Sequence, residues 1–192
     1  MPRAENTRQK IVDQAAVLMM QRGLNGFSYK DISTPLGVKN AAIHYHFPTK
    51  VDLVMALIEE QQDTLRKQTT DFMTNGGQAS KQVEGLFFYA RQKCVCGQPV
   101  CIPGSLMVDY NDMPEHVLSA LQKLMKDTGR WFTHVLEVGR EQGEFEFNGE
   151  AKSKAAGILA MMQGARQLTR VHGDQFLETI FEQIRQDLGM KA

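Results

Sequence analysis

Two short stretches of this chain concentrate side chains that can do chemistry. In the first, Cys94, Cys96 and Cys101 fall within eight residues. A thiolate is both a nucleophile and a soft-metal ligand, so the spacing admits three readings. The cysteines can be small apolar core residues. One of them, Cys101 foremost, can be a redox- or electrophile-sensitive thiolate near a helix amino end. The three together can bind a soft metal, although two residues apart on a helix point nearly opposite ways and no histidine lies close by. In the second stretch four ring side chains, His44, Tyr45, His46 and Phe47, follow a Gly37-Val38 turn and precede Lys50. Burial in a core would explain Phe47 but not two histidines. Their polar ring edges need a partner.

Helical periodicity dominates the elements that carry these residues. Ile11, Ala15, Leu18 and Met19 share one face of a first helix over 5–22, closed by Gly23. Ser28 with Asp31 three residues on reads as a capping box for a short second helix. Asn40 is placed as the cap of a third, running to Tyr45 or His46. Pro48 breaks the pattern, and Thr49 caps a long fourth helix from Lys50. Further 3–4 spacings follow up to two final helices, about 151–171 and 174–188, and no segment sustains a period of two. The expected class is all-α with about nine helices.

Three short helices with a glycine turn between the second and third describe a helix-turn-helix module, in which one helix braces on the duplex and the next enters the major groove. The residues Asp31-Ile32-Ser33, Gly37-Val38-Lys39, Ile43-His44-Tyr45-His46-Phe47-Pro48-Thr49-Lys50 and Leu53 resemble the amino-terminal signature of the TetR/AcrR-type transcriptional regulators over roughly residues 8–54. Pro35, Ala41 and His44 depart from it, where alanine, glycine and tyrosine are usual. The resemblance implies a DNA-binding domain over 1–50 and a helical ligand-binding and dimerisation domain over 51–192. It implies DNA contacts from Tyr29, Lys39, His44, Tyr45 and Lys50, with Asn40, Ala41 and Ala42 facing bases. Lys50 is thereby expected on a phosphate. In the carboxy-terminal part it implies an effector cavity, for which Phe87, Arg91, Cys94, Cys101, Met107, Tyr110, Trp131, His134 and Met162 are the candidates. It also implies a homodimer through the last two helices, with Ile158, Met161, Gly164, Leu168, Phe176, Leu177, Ile180 and Phe181 at the interface.

Composition agrees with a duplex-binding end on an otherwise ordinary globular chain. The net charge is zero over 192 residues. Residues 1–52 carry seven basic against four acidic side chains, an excess that points to an anionic partner at that end. No apolar run is longer than Leu53–Ile58, which is far too short for a membrane span, and the amino terminus carries no signal core. The expected location is the cytoplasm, with the odd number of cysteines reduced. The chain has no glycine-rich phosphate loop, no His-Glu metal spacing and no Ser/His/Asp grouping, so no cofactor, metal or catalytic set is expected. Two rivals fit less of the sequence: a helical thiol redox enzyme using Cys94 and Cys96, and a small-molecule carrier that ignores DNA.

Overall fold

A computed structural model describes residues 2–75 and 77–190. Among these residues no strand occurs. Nine α-helices follow one another: α1 (Pro2–Arg22), α2 (Tyr29–Leu36), α3 (Asn40–His46), α4 (Lys50–Asn75), α5 (Ala79–Val95), α6 (Ile102–Val108), α7 (Glu115–Glu141), α8 (Ala151–His172) and α9 (Asp174–Asp187). Short 3-10 turns at Leu24–Gly26 and Tyr110–Asp112 complete the order. The all-α class and the helix count expected from periodicity hold.

The helices gather into two compact units. One runs to Asp63 and takes up Cys101–Leu124; the other holds Thr64–Val100 and the residues from Met125 on. The packing boundary therefore does not fall at residue 50. Its cause is α6, whose buried Ser105 donates through Oγ to the Met19 carbonyl at 3.1 Å and so joins residues 101–124 to α1. Asn25 Nδ2 adds a bond of 3.0 Å to Asp109 Oδ1.

In the first unit the inner face of α1, with Ile11, Val12, Ala15, Leu18 and Met19, is buried together with Ile32, Ile43 and Phe47. Two capping boxes of one design start α2 and α4. Ser28 N–H and Oγ bond to Asp31 Oδ2 at 2.8 and 2.6 Å, and Thr49 N–H and Oγ1 bond to Asp52 Oδ2 at 2.8 and 2.7 Å. Each satisfies amide donors that the first turn of a helix leaves open. The turn into α3 is made at Gly37, whose φ of 64° lies in the left-handed region. Asn40 is the first helical residue of α3 and not its cap; Lys39 takes the cap position with extended backbone and no side-chain bond. Asn40 instead points back, accepting through Oδ1 from Ser33 Oγ at 2.5 Å.

The second unit is closed by an antiparallel match of α5 and α9. Phe87 and Phe181 stack with ring centroids 4.3 Å apart. On either side of the stack Arg91 grips Glu178 through two bonds of 2.6 and 2.7 Å, and Arg185 grips Glu84 through two of 2.7 and 2.8 Å. Each guanidinium also lies over one of the stacked rings, at 5.5 and 5.1 Å. The ion pairs are partly solvated, so each contributes at most about 1 kcal/mol; the ring stack adds a similar amount beyond its burial. Glu144 reaches the start of α5, accepting from Ala79 N–H at 3.2 Å and from the Ser80 amide and hydroxyl.

The Asp31 and Asp52 carboxyls are held below the usual carboxylate range, first by the hydroxyl bonds from Ser28 and Thr49 and then by the same residues' amides. A group whose pKa is lower folded than unfolded adds stability above the unfolded value and loses it as pH falls through the folded one. Thermal unfolding followed by circular dichroism should therefore show stability falling from about pH 4 downward. Asp31→Asn and Asp52→Asn should each lower the melting temperature at neutral pH and flatten that acid dependence.

Candidate nucleic-acid interface and effector region

The outer face of α3 is built from residues whose inner neighbours are locked. Ile43 and Phe47 are buried, while Lys39, Asn40, Ala41, His44 and Tyr45 are exposed and Ala42 is half-buried. Tyr45 stands out most, at 81% exposure. The rings brace one another. Tyr29 meets His44 edge to face at 4.8 Å, and Tyr45 meets His46 likewise at 5.2 Å. Arg8 of α1 lies over the Phe47 ring at 5.1 Å. His44 Nδ1 faces the Pro48 carbonyl at 3.3 Å; a carbonyl only accepts, so this nitrogen carries the proton and Nε2 is left as the other polar edge. The four-ring run thus divides as its chemistry requires: Phe47 in the core, His46 half-buried, and His44 and Tyr45 turned outward.

Several of the residues expected on DNA have partners within the first unit, Tyr29 and Lys50 foremost. Tyr29 donates its hydroxyl to the Phe47 carbonyl at 2.9 Å, and burial together with the nearby Asp52 charge pushes its phenol up to about 12. Lys50 differs most from its expected role. Its ammonium turns inward, donating to the Leu24 carbonyl and, at 2.6 Å, to the Phe27 carbonyl, and lies 4.1 Å from the Phe27 ring centroid. Burial lowers its pKa, with Asp109 and Asp31 opposing. Two of its three protons are committed to the backbone between α1 and α2. It clamps the motif and does not extend from it. Asn40 is likewise half-committed: with Oδ1 held by Ser33, its free amide protons can donate to a base edge, but the two-bond match to adenine needs the oxygen as well.

None of the three cysteines is in a disulfide among the described residues, and they sit in three environments: Cys94 buried, Cys96 exposed, Cys101 between. Cys94 Sγ lies 3.9 Å from Thr169 Oγ1. Burial pushes its thiol up, against the pull of Thr169 and Arg166. A raised thiol is a poor nucleophile. Cys101 is the cap of α6, its sulfur accepting from Gly104 N–H at 3.4 Å. Among the described residues no three His, Cys, Asp or Glu side chains are grouped to hold a metal ion.

The residues expected to line an effector cavity are divided between the two units. Cys101, Met107 and Tyr110 belong to the first unit; Phe87, Arg91, Cys94, Trp131, His134 and Met162 belong to the second. Phe87 is packed solid against Phe181, and the anion that a half-buried Arg91 needs is already supplied by Glu178. His134 packs edge-on against Phe72 at 6.1 Å, and Met162 lies against the core. Trp131 is core as well, though its indole N–H has no hydrogen-bond partner among the described residues. Open space in the second unit lies elsewhere. A cleft of about 600 Å³ is lined by Lys126, Gly129, Arg130 and Thr133 of α7 and Lys152, Ala155 and Ala156 of α8. Sequence reading passes over these residues because lysines and alanines carry no signal by themselves.

The expected dimer residues also separate. Ile158, Leu177 and Phe181 are buried within their own chain and cannot be an interface. Met161, Phe176 and Ile180 are half-buried, while Leu168 is 43% exposed. Val171, at 79% exposure, joins them unforeseen. A Cβ placed on Gly157 or Gly164 would meet nothing within 4 Å, so this side of α8 is open to close approach.

Comparison with known proteins gives concordant results for both parts of the chain. Residues 11–57 match the bacterial regulatory proteins of the tetR family, and residues 89–183 match the tetracyclin repressor-like C-terminal domain. A tetR-family transcriptional regulator from Agrobacterium tumefaciens superposes with a TM-score of 0.85 at 28% identity, covering 98% of this chain and 100% of that one. A TetR transcriptional regulator from Legionella pneumophila does so with a TM-score of 0.82 at 29% identity, covering 97% and 98%. The HTH-type transcriptional repressor NemR of Escherichia coli is 22% identical over 170 residues, 86% of this chain and 85% of NemR. The reduced form of NemR shares the fold, with a TM-score of 0.75.

Three outcomes follow from the placement of the lysines and thiols. Lys39→Ala should lower the slope of log affinity against log salt for duplex DNA by about one. Lys50→Met should leave that slope unchanged and lower the melting temperature, because it empties two carbonyls of their donor. Alkylation followed by mass spectrometry near neutral pH should modify Cys96 first and Cys94 last; early reaction of Cys94 would contradict its burial.

Proposed function

This chain belongs to the tetR family of bacterial regulatory proteins, and we propose that it acts as a ligand-responsive transcriptional repressor that binds a pseudo-palindromic operator as a two-fold dimer. The observation that carries the reading is the outer face of α3. Lys39, Asn40, Ala41, His44 and Tyr45 are presented together on a helix whose inner side is anchored by Ile43 and Phe47. Lys39 and the ring edges suit phosphates. The small Ala41 and Ala42 let the helix approach base edges, where a methyl can meet the thymine methyl. Tyr29 and Lys50 act one step back, holding the start of α4 and the loop before α2 so that α3 keeps its pose.

One recognition helix gives little affinity, and two related by a dyad multiply it. The open side of α8, with Gly157, Gly164, Leu168 and Val171, is the surface on which a second copy would pair. Both α4 and α7 contribute residues to the two compact units, so a ligand bound among the carboxy-terminal helices has a continuous backbone route to the motif. It can release DNA only to the extent that it prefers the releasing state.

Release by thiol modification is a second route. Its support is the exposure of Cys96 at the end of α5 and the position of Cys101 in the same compact unit as α3, so that an event there needs no relay. A thiol enzyme built on Cys94 and Cys96 draws no such support, since Cys94 is buried with its thiol pushed up. Among the described residues no helix is long and apolar enough to cross a membrane.

Binding to a duplex carrying the region upstream of the protein's own gene, followed by fluorescence anisotropy at moderate salt, tests the reading. Wild type should bind as a dimer. The Leu168→Asp/Val171→Asp variant should sediment as a monomer and lose at least about tenfold in affinity. A wild-type monomer indifferent to duplex DNA at low salt overturns the proposal.

A further inference from the structure

We propose that the cleft between α7 and α8 binds an amphipathic anion: an acidic head group on an apolar body. At about 600 Å³ it lies within the range of small-molecule sites. Its α7 wall repeats at i, i+3, i+4 and i+7 through Lys126, Gly129, Arg130 and Thr133, which puts these residues on one face of the helix. Three basic side chains line the cleft and no acidic one does. Arg130 is paired with Asp127, but Lys126 and Lys152 have no ion-pair partner among the described residues. Between these cations the surface is apolar or absent. Ala155 and Ala156 supply methyls, and a Cβ on Gly129 would meet nothing within 4 Å. The Thr133 hydroxyl proton is committed to the Gly129 carbonyl at 2.8 Å.

This combination selects one chemistry. Two unpaired ammonium groups favour an anion and repel a cation. An alanine- and glycine-lined floor gains from covering by carbon and offers nothing to a small hydrated anion. Lys152, Ala155 and Ala156 also lie on the other side of α8 from Gly157, Gly164 and Leu168, by the helical repeat of about 3.6 residues. A second copy seated on the glycine side would leave the cleft open. The proposal names the effector class for the repressor reading; it rests on that reading for coupling to DNA, but not for binding.

The test uses the full chain in reducing buffer without DNA, and laurate below its micelle concentration as the probe. Trp131, the single tryptophan, follows Arg130 directly and is a built-in fluorescence reporter beside calorimetry. Laurate should bind saturably, whereas dodecyltrimethylammonium and inorganic phosphate should not. Lys126→Ala/Lys152→Ala should weaken laurate at least about tenfold with an unchanged melting temperature, since both lysines are exposed. Lys126→Arg/Lys152→Arg should retain binding. No laurate binding, equal binding by the double-alanine variant, or equal binding of the ammonium or phosphate probe each overturns the site. Laurate is then added to the protein–operator complex. Release from wild type but not from the double-alanine variant makes the cleft the effector site. Binding without release upholds the anion site and refutes its regulatory role, and failure of the protein to bind DNA leaves the laurate result standing on its own.

Discussion

The ammonium of Lys50 is the interaction around which the amino-terminal unit is arranged. It is the first residue of α4, and it ties that helix to two carbonyls in the loop before α2. Everything between those anchor points, the second helix, the turn at Gly37 and all of α3, is enclosed in a loop closed by a charge-assisted contact. Such bonds are roughly twice as strong as neutral ones. A side chain that a surface reading assigns to a partner here shapes the surface that meets the partner. Tyr29 works in the same way, fastening the last turn of α3 through the Phe47 carbonyl.

The carboxy-terminal unit shows the converse. Its conspicuous charges and rings invite a ligand, yet they satisfy one another. The stacked Phe87 and Phe181, bracketed by Arg91–Glu178 and Arg185–Glu84, form a finished seam between α5 and α9. Buried polar groups in proteins are nearly always paired, and a lone arginine in an apolar run signals a missing carboxylate as readily as a missing ligand. The space left over lies where side chains are small, along Gly129, Ala155 and Ala156.

What could be read from the chain was local. Helix starts were legible because Ser28-Asp31 and Thr49-Asp52 carry their own geometry three residues apart. The positive-φ turn was legible because glycine alone takes it without cost. The spacing of Ile43 and Phe47 gave the inner face of α3. What could not be read depends on partners distant in sequence. The carbonyls that capture Lys50 lie 23 and 26 residues earlier, and backbone carbonyls leave no mark in a sequence. Glu178 is 87 residues from Arg91. Ile158, Leu177 and Phe181 share their helices with residues that face outward, and an amphipathic pattern does not say which stripe meets its own chain and which a second copy.

The joining of α6 to α1 has a further consequence, for the order of synthesis. The inner face of α1 emerges from the ribosome early, but the segment that covers it, starting at Cys101, follows only after the whole of α4 and α5. A nascent chain that has delivered its recognition helix still lacks the cover on Met19. Maturation of the reading head thus waits on translation of more than half the message, and a product terminated early carries the motif without the neighbour that completes it.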